Sequence, residues 1–277
     1  MSTSPVITLT SDFGLQDPYV GAMKGVILAI NPAAAIVDIS HGVRPQAIEQ
    51  AAFLLGAAWP YFPPGTIHVV VVDPGVGTER RALALRTPQG TFVGPDNGVL
   101  SAALPDPVRE EASGEDKAAE VGLPSGHRAV SLSNEAYFRH PVSSTFHGRD
   151  IFAPVAAHLS LGVPLEELGQ PVERILALPP FRARRRADGS LAGRVIHIDA
   201  FGNLVTDVRC ADLPPQPVVE VGGERIEDVS TTYGEGRGLL AVIGSGGYLE
   251  IAVAGGSAAR HLKADVGMPV VVRPSGR

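Results

Sequence analysis

The chain has 277 residues, of which 44% are hydrophobic and 19% charged. That balance suits one large or two ordinary compact domains and excludes fibrous and disordered classes. The formal charge of −6 has the wrong sign for a protein whose main partner is a polyanion, so a small-molecule partner is expected and a nucleic acid is not.

Val6–Thr10 is a short β-rich apolar run that ends in the turn Ser11-Asp12-Phe13-Gly14. Pro18–Ile30 carries apolar residues at helical spacing and stops at Asn31-Pro32. Ala35–Ile39 reads as a second strand, and a polar connection, His41–Gln46, leads to a helix over Ala47–Ala58. Thr66–Val72 (TIHVVVV) is continuously apolar and β-branched, the pattern of a strand buried on both faces of a parallel sheet. This β-α-β-α-β order predicts an α/β domain with a mostly parallel, Rossmann-like sheet and right-handed crossovers. Sites in such sheets lie at the carboxyl ends of strands.

Arg81–Thr87 and Thr91–Val93 then form a hairpin about Pro88-Gln89-Gly90, followed by Pro95-Asp96-Asn97-Gly98 and a short helix. Asn97 is expected to be a turn residue in left-handed geometry. Pro105–Arg128 is charged and non-periodic and reads as an exposed loop with a helical turn or two, and Ile151–Leu161 reads as a helix. At Leu178–Gly189 prolines and then Arg182, Arg184, Arg185 and Arg186 separate two periodic regions; in an acidic chain the basic cluster reads as a solvated linker. The expected domains are 1–178, with a linker at 179–189, and 190–277. The last is all β, with short strands at Gly193–Ile198, Leu204–Val208, Val218–Val221, Leu239–Ile243, Tyr248–Val253 and Pro269–Val272, the spacing of a small barrel or sandwich.

A single cysteine, Cys210, permits no internal disulfide and no Cys-rich metal site. The N-terminus MSTSPVITLTSDFG lacks the basic and apolar regions of an export signal, and no apolar run approaches the roughly 20 residues of a membrane span. A cytoplasmic protein without membrane contact is expected.

Four polar constellations fall where strands end: Ser11-Asp12-Phe13-Gly14 with Asp17; Asp73-Pro74-Gly75-Val76-Gly77-Thr78-Glu79-Arg80; Phe146-His147-Gly148-Arg149-Asp150; and Asp199-Ala200-Phe201-Gly202-Asn203. Each alone is as readily a turn or helix cap as a site. Nucleotide motifs fail: Gly75-Val76-Gly77 lacks the third glycine of G-x-G-x-x-G, and neither a P-loop nor G-x-S-x-G occurs. Asp12, Asp73, His41 and His147 contain metal-ligating types but none of the close spacings that assemble a metal site, so no metal is expected.

Taken in order, SDFG, DPGVGT-x-R-R, GPDNG, FHGRD, IDAFGN and GSGGYLEIAV resemble the S-adenosylmethionine (SAM) hydroxide adenosyltransferases, or SAM hydrolases, relatives of fluorinase and chlorinase. The resemblance spans nearly the whole chain. It implies an N-terminal α/β domain, a smaller C-terminal β-barrel-like domain, and a homotrimer with SAM held between the N-terminal domain of one subunit and the C-terminal domain of the next. The implied reaction is attack of water or hydroxide on C5′ of SAM, giving adenosine and L-methionine with no cofactor.

By motif, Asp73, Arg80 and His147 match the family's water-activating set. Methionine leaves as a neutral thioether, so the site needs no acid for departure; it needs an oriented, activated nucleophile. Either Asp73 or His147 suits the proton, with Arg80 keeping the carboxylate ionised. Asp12 matches the carboxylate that grips the ribose diol. Asp17, Asp199 and Ser245 match positions at the methionine end, and Phe201 and Asn203 match stacking and hydrogen-bonding contacts to adenine. Tyr233, in TTYGEG, is either a second stacking aromatic or a hairpin-edge residue, and Phe146 either a pocket wall or core. In a chain with only 5% aromatics, such placements carry weight. Where fluorinase has a Tyr and a halide-contacting Ser, this chain has Asp73 and Gly148, and the insertion before the PDNG-like motif is absent; hydrolysis is thus favoured over halogenation. Gly246 stands where fluorinase has an Arg for the amino-acid carboxylate, so that clamp must come from elsewhere. A non-catalytic SAM or adenosine sensor, a halogenase and an Asp/His metallophosphohydrolase are the competing readings.

Overall fold

The computed structural model describes residues 4–112, 118–234 and 238–275. The chain divides into two compact units, one ending at Pro180 and the other beginning at Phe181.

In the first unit β1 (Val6–Ser11), α1 (Tyr19–Ile30), β2 (Ala35–Ser40), α2 (Ile48–Ala58) and β3 (Thr66–Val71) follow in the expected order. After them come β4 (Ala82–Arg86), β5 (Gly90–Pro95), a 3-10 turn at Val99–Ala103, α3 (Asp106–Glu110), β6 (Ala119–Gly122) and β7 (Arg128–Leu132). A π-helical turn at Gly148–Phe152 leads into α4 (Ala153–Ser160), and β8 (Gly169–Val172) and β9 (Arg174–Ala177) close the unit.

One sheet runs β2-β1-β3-β5-β4-β7-β8. Its half carrying β2, β1, β3 and β5 is parallel, and β4, β7 and β8 extend it antiparallel. Every residue of β3 is buried. The pleat sends Ile67, Val69 and Val71 into a core shared with Met23 and Ile27 of α1 and Val155 of α4. Val70 and Val72 point the other way, to Leu55 of α2 and to Phe92. Burial on both faces is what an unbroken β-branched run requires.

The segment expected as an exposed loop holds more structure than its composition suggests. Its described part contains α3 and β6, and β6 pairs with β9 in a separate two-stranded sheet; residues 113–117 lie outside the described residues. β6 buries only Val121 fully, so it has no alternation to read, and its partner lies over 50 residues on.

The second unit comprises β10 (Arg184–Arg185), β11 (Leu191–Ile198), β12 (Leu204–Arg209), β13 (Pro217–Val221), β14 (Glu224–Ile226), β15 (Val229–Ser230), β16 (Leu239–Ile243), β17 (Tyr248–Val253), α5 (Ala258–Leu262) and β18 (Pro269–Pro274). Its sheet runs β14-β13-β18-β11-β12-β17-β16-β15, with β10 beside β11. β14 approaches β16, so the sheet curls into a nearly closed barrel around Leu191, Val195, Leu204, Val219, Leu249, Ile251 and Val270. Residues 181–189, expected in the linker, are built into this unit. Phe181 is buried, Ala183 joins the core, and Arg184 and Arg185 pair with Ala192 and Leu191. Among the described residues no helix is long and apolar enough to cross a membrane.

Candidate active site

The parallel half of the first sheet places three polar segments side by side at its carboxyl ends. Asp12 follows β1, His41 follows β2 and Asp73 follows β3. A cavity of about 390 Å³ opens there, lined by Asp12, Phe13, Gln46, Asp73, Phe146 and His147, among others.

Asp73 and Arg80 lie at the two ends of one tight loop. Nε of Arg80 donates to both carboxylate oxygens of Asp73 at 3.0 Å, and Nη2 donates to Oδ2 as well. The same Nη2 lies 2.7 Å from Nδ1 of His147. A guanidinium has only donors, so Nδ1 accepts, and the proton of the neutral ring is on Nε2. Burial, reinforced by the positive charge of Arg80, holds the His147 pKa below its ordinary value, against a smaller opposing pull from Asp73. The ring is therefore neutral at pH 7. Asp73 and Arg80 are 5% and 12% exposed, which makes their pair a fixed feature and not a solvated surface contact. Arg80 also stacks over Phe152 at 5.5 Å.

Two glycines allow close packing around this group. Gly77 is left-handed (φ +77), and a Cβ there would collide with the Ser144 carbonyl, so only a bare α-carbon lets the Asp73–Arg80 loop lie against the segment carrying His147. A Cβ on Gly148 would stand 3.2 Å from Met23 Sδ and 3.3 Å from the rings of Phe13 and Phe146. Phe13, Tyr19 and Phe146 form an aromatic wall with centroids 5.2–5.7 Å apart. Phe146 thus serves as both pocket wall and core, since it also packs on the α1/α4 cluster.

Other motif residues are structural braces. Asp150 is fully buried and takes Arg139 and Arg149 on one or both oxygens and the Ser143 amide on Oδ2. Arg81 pairs with the buried Asp96, whose Oδ1 accepts from the Leu176 amide. The left-handed residue of GPDNG is Gly98 (φ +95), not Asn97 as expected. Asn97 instead ties Val72 O to Val99 N through its amide, at 2.9 and 3.1 Å, so the side chain bridges segments and the glycine absorbs the strain.

Asp12 Oδ2 accepts from the Gln46 amide at 2.8 Å. Gln46 has φ +65, uncommon outside glycine; nothing in its sequence context announced it as a cavity residue, and the same holds for Thr145. Asp17 is exposed before α1 and is not part of the cavity lining. Among the described residues no group of three or more His, Cys, Asp or Glu is placed to hold a metal ion, so Asp12, Asp73, His41 and His147 are not assembled as one.

In the second unit, Asp199 caps its own turn: Oδ1 accepts from the amides of Phe201 and Asn203 and Oδ2 from Asn203 Nδ2. Gly202 (φ +86) presses onto Ser257, leaving no room for a Cβ. Phe201 projects 78% exposed. Tyr233, 46% exposed, donates to Glu250 Oε2 at 2.7 Å, a bond that with burial pushes its pKa up to about 12. The remainder of its TTYGEG motif, at 235–236, lies outside the described residues. Burial, and to a lesser degree the charge of Asp199, raises the Glu250 pKa. Glu250 was hidden in sequence as one polar residue in a strand. Ser245 is exposed in the turn between β16 and β17.

The chain is similar to known proteins along most of its length. The SAM hydroxide adenosyltransferase N-terminal domain matches residues 7–169, and the C-terminal domain of the same family matches 193–271. An (R)-S-adenosyl-L-methionine hydrolase of Thermus thermophilus is 43% identical over 265 residues, covering 94% of this chain and 96% of its own. One from Salinispora tropica is 40% identical, covering 94% of each. The crystal structure of an uncharacterized conserved protein from Thermotoga maritima superposes with a TM-score of 0.81 at 36% identity, covering 97% of this chain and all of the other. With both domain matches in order and relatives this similar along their whole length, the chain belongs to the SAM hydroxide adenosyltransferase family.

Proposed function

We infer that this protein is a SAM hydrolase that cleaves the C5′–S bond with water to give adenosine and L-methionine. The observation that carries the inference is the Asp73–Arg80–His147 arrangement on the wall of a cavity that also holds Asp12, in a chain of this family.

In this reading a water molecule lies between Asp73 and C5′. Its oxygen attacks C5′ as the C5′–S bond breaks, and the bonding pair passes to sulfur, which leaves as a neutral thioether. The water's proton goes to Asp73 and then to solvent. Asp73 and not His147 takes it because Nδ1 of His147 is engaged by Arg80 and Nε2 already carries a proton, which leaves that ring a donor. Arg80 fixes the orientation of the carboxylate through both of its oxygens. Asp12 grips the ribose hydroxyls, and Asp17, Asp199 and Ser245 serve the methionine end. Phe201, Asn203 and Tyr233 receive adenine.

Incubation with SAM in ¹⁸O-water tests the reaction: adenosine labelled at O5′, with equimolar methionine, is expected. No adenosine above the uncatalysed rate overturns the reading, and unlabelled adenosine overturns attack at C5′. The homotrimer implied by the resemblance is tested separately by sedimentation equilibrium, where the mass of a single chain would refute it.

A further inference from the structure

His41, which follows β2, is not used by the reaction; it is itself buried and links the buried Ser11 to the partly exposed Asp38 and Lys24. Its Nδ1 lies 2.7 Å from Ser11 Oγ. Its Nε2 faces Asp38 Oδ1 at 3.1 Å, at an angle short of a straight hydrogen bond. Asp38 Oδ2 in turn accepts from Lys24 Nζ at 2.6 Å. Burial pushes the Asp38 carboxyl up, but Lys24 and His41 outweigh it and hold the group below its usual range. The order Asp38–His41–Ser11 is that of a hydrolytic triad, yet Ser11 is 1% exposed and its oxygen accepts from the Phe13 amide at 3.3 Å. It has no access to a substrate and is not a nucleophile.

In the tautomer with the ring proton on Nε2, towards Asp38, Nδ1 accepts the Ser11 hydroxyl proton, which leaves the Ser11 oxygen to receive the Phe13 amide. The backbone oxygen of His41 accepts from the Gly14 amide at 2.9 Å. One residue thus grips the turn Ser11–Gly14 at both ends, and Asp12 is in its middle. The segment that starts at His41 also ends at Gln46, whose amide meets Asp12 Oδ2.

We propose that His41, acting through Ser11, is a positioning residue that presents the Asp12 carboxylate to the ribose of SAM. The proposal rests on the assignment of Asp12 to the ribose. Asp12 Oδ2 is held by Gln46, so Oδ1 is aimed at the substrate only as well as the turn is held. Loosening the turn weakens binding and leaves the Asp73 chemistry intact.

Steady-state kinetics with SAM on His41→Ala, His41→Asn, Ser11→Ala, the Ser11/His41 double alanine variant and Asp12→Ala test this. His41→Ala and Ser11→Ala are each expected to raise KM about tenfold, near the upper worth of one hydrogen bond between neutral groups, with kcat within about twofold. His41→Asn, whose amide oxygen accepts the Ser11 hydroxyl, is expected to recover most of the loss. The double variant is expected to match the larger single effect and not the product of the two. If His41→Ala fails to fold, Ser11→Ala carries the same reading. A raised KM in Asp12→Ala with unchanged KM in the Ser11 and His41 variants overturns the clamp alone. Equal losses of kcat in those variants also overturn it. An unchanged KM in Asp12→Ala overturns the ribose assignment, and the clamp falls with it.

Discussion

Gly77 lies directly against the carbonyl of Ser144, with no space for a side chain between them. That contact is what brings Arg80 to His147, since each belongs to a separate loop. Alanine at position 77 meets both the carbonyl and an unfavourable φ, a combination that costs more than about 1 kcal/mol. Gly77→Ala is expected to lower Tm and to cut adenosine formation at least tenfold, a loss beyond what Tm alone explains at 25 °C. Full activity in that variant would show that the two loops need not touch.

Asp73→Asn keeps the shape of the carboxylate and removes its basicity. Turnover is expected to fall by about 10²–10⁴, the usual worth of a positioned general base. SAM affinity, measured calorimetrically on the inactive variant, should stay within a few-fold, because the residues proposed to bind SAM are untouched. A comparable loss of binding would move Asp73 from the nucleophile to the substrate grip.

His68 supplies a pH dependence unrelated to catalysis. It is buried in β3, 2.8 Å from Thr8 Oγ1 and stacked on Phe92 at 4.9 Å. Burial pushes its pKa down to about 4 from 6.5. The unfolded chain therefore binds the extra proton first as pH falls. The stabilising difference is complete above pH 6.5 and is lost progressively towards pH 4, by up to about 3 kcal/mol. Urea unfolding at pH 7 and pH 4.5 should show the fall in the native protein and a smaller fall in His68→Gln. Parallel pH curves for the two proteins would exclude His68 as the cause.

The adenine assignment predicts a difference between two exposed aromatics. Phe201→Ala and Tyr233→Ala should each raise KM by the equivalent of about 1–3 kcal/mol, the worth of one base stacked on an aromatic ring. Tyr233→Phe keeps the ring and loses only the bond to Glu250, so most of its affinity should remain. If Tyr233→Phe is as damaging as Tyr233→Ala, the hydroxyl and not the ring is the functional part.

Sequence reading reached furthest where one residue's neighbours along the chain decide its environment. The TIHVVV run of β3 has apolar side chains for both faces, and both faces are covered; the turns after β1 and β3 carry Asp12 and Asp73 to the same edge because adjacent parallel strands end together. The SDFG, DPGVGT and FHGRD motifs could be named, but the bond between Arg80 and His147 crosses 67 positions and depends on a glycine contact that no local pattern encodes. Gln46 was illegible for a related reason. A glutamine signals no left-handed turn, and the amide that reaches Asp12 is a backbone group, invisible in side-chain identity. β6 and Glu250 were lost because a four-residue strand and a lone acid take their meaning from partners far along the chain.

The crowding around Gly148 bears on how such a site changes over evolutionary time. Adding even a hydroxymethyl group at this position, to offer a donor to some nucleophile other than water, requires Met23, Phe13 or Phe146 to yield by a few tenths of an ångström. The pliant thioether of Met23 can give way, but Phe13 and Phe146 crowd the same point, so a change at Gly148 carries a cost in packing alongside any benefit in reactivity. An engineered switch of nucleophile at position 148 therefore has to be judged together with the packing of Met23, Phe13 and Phe146.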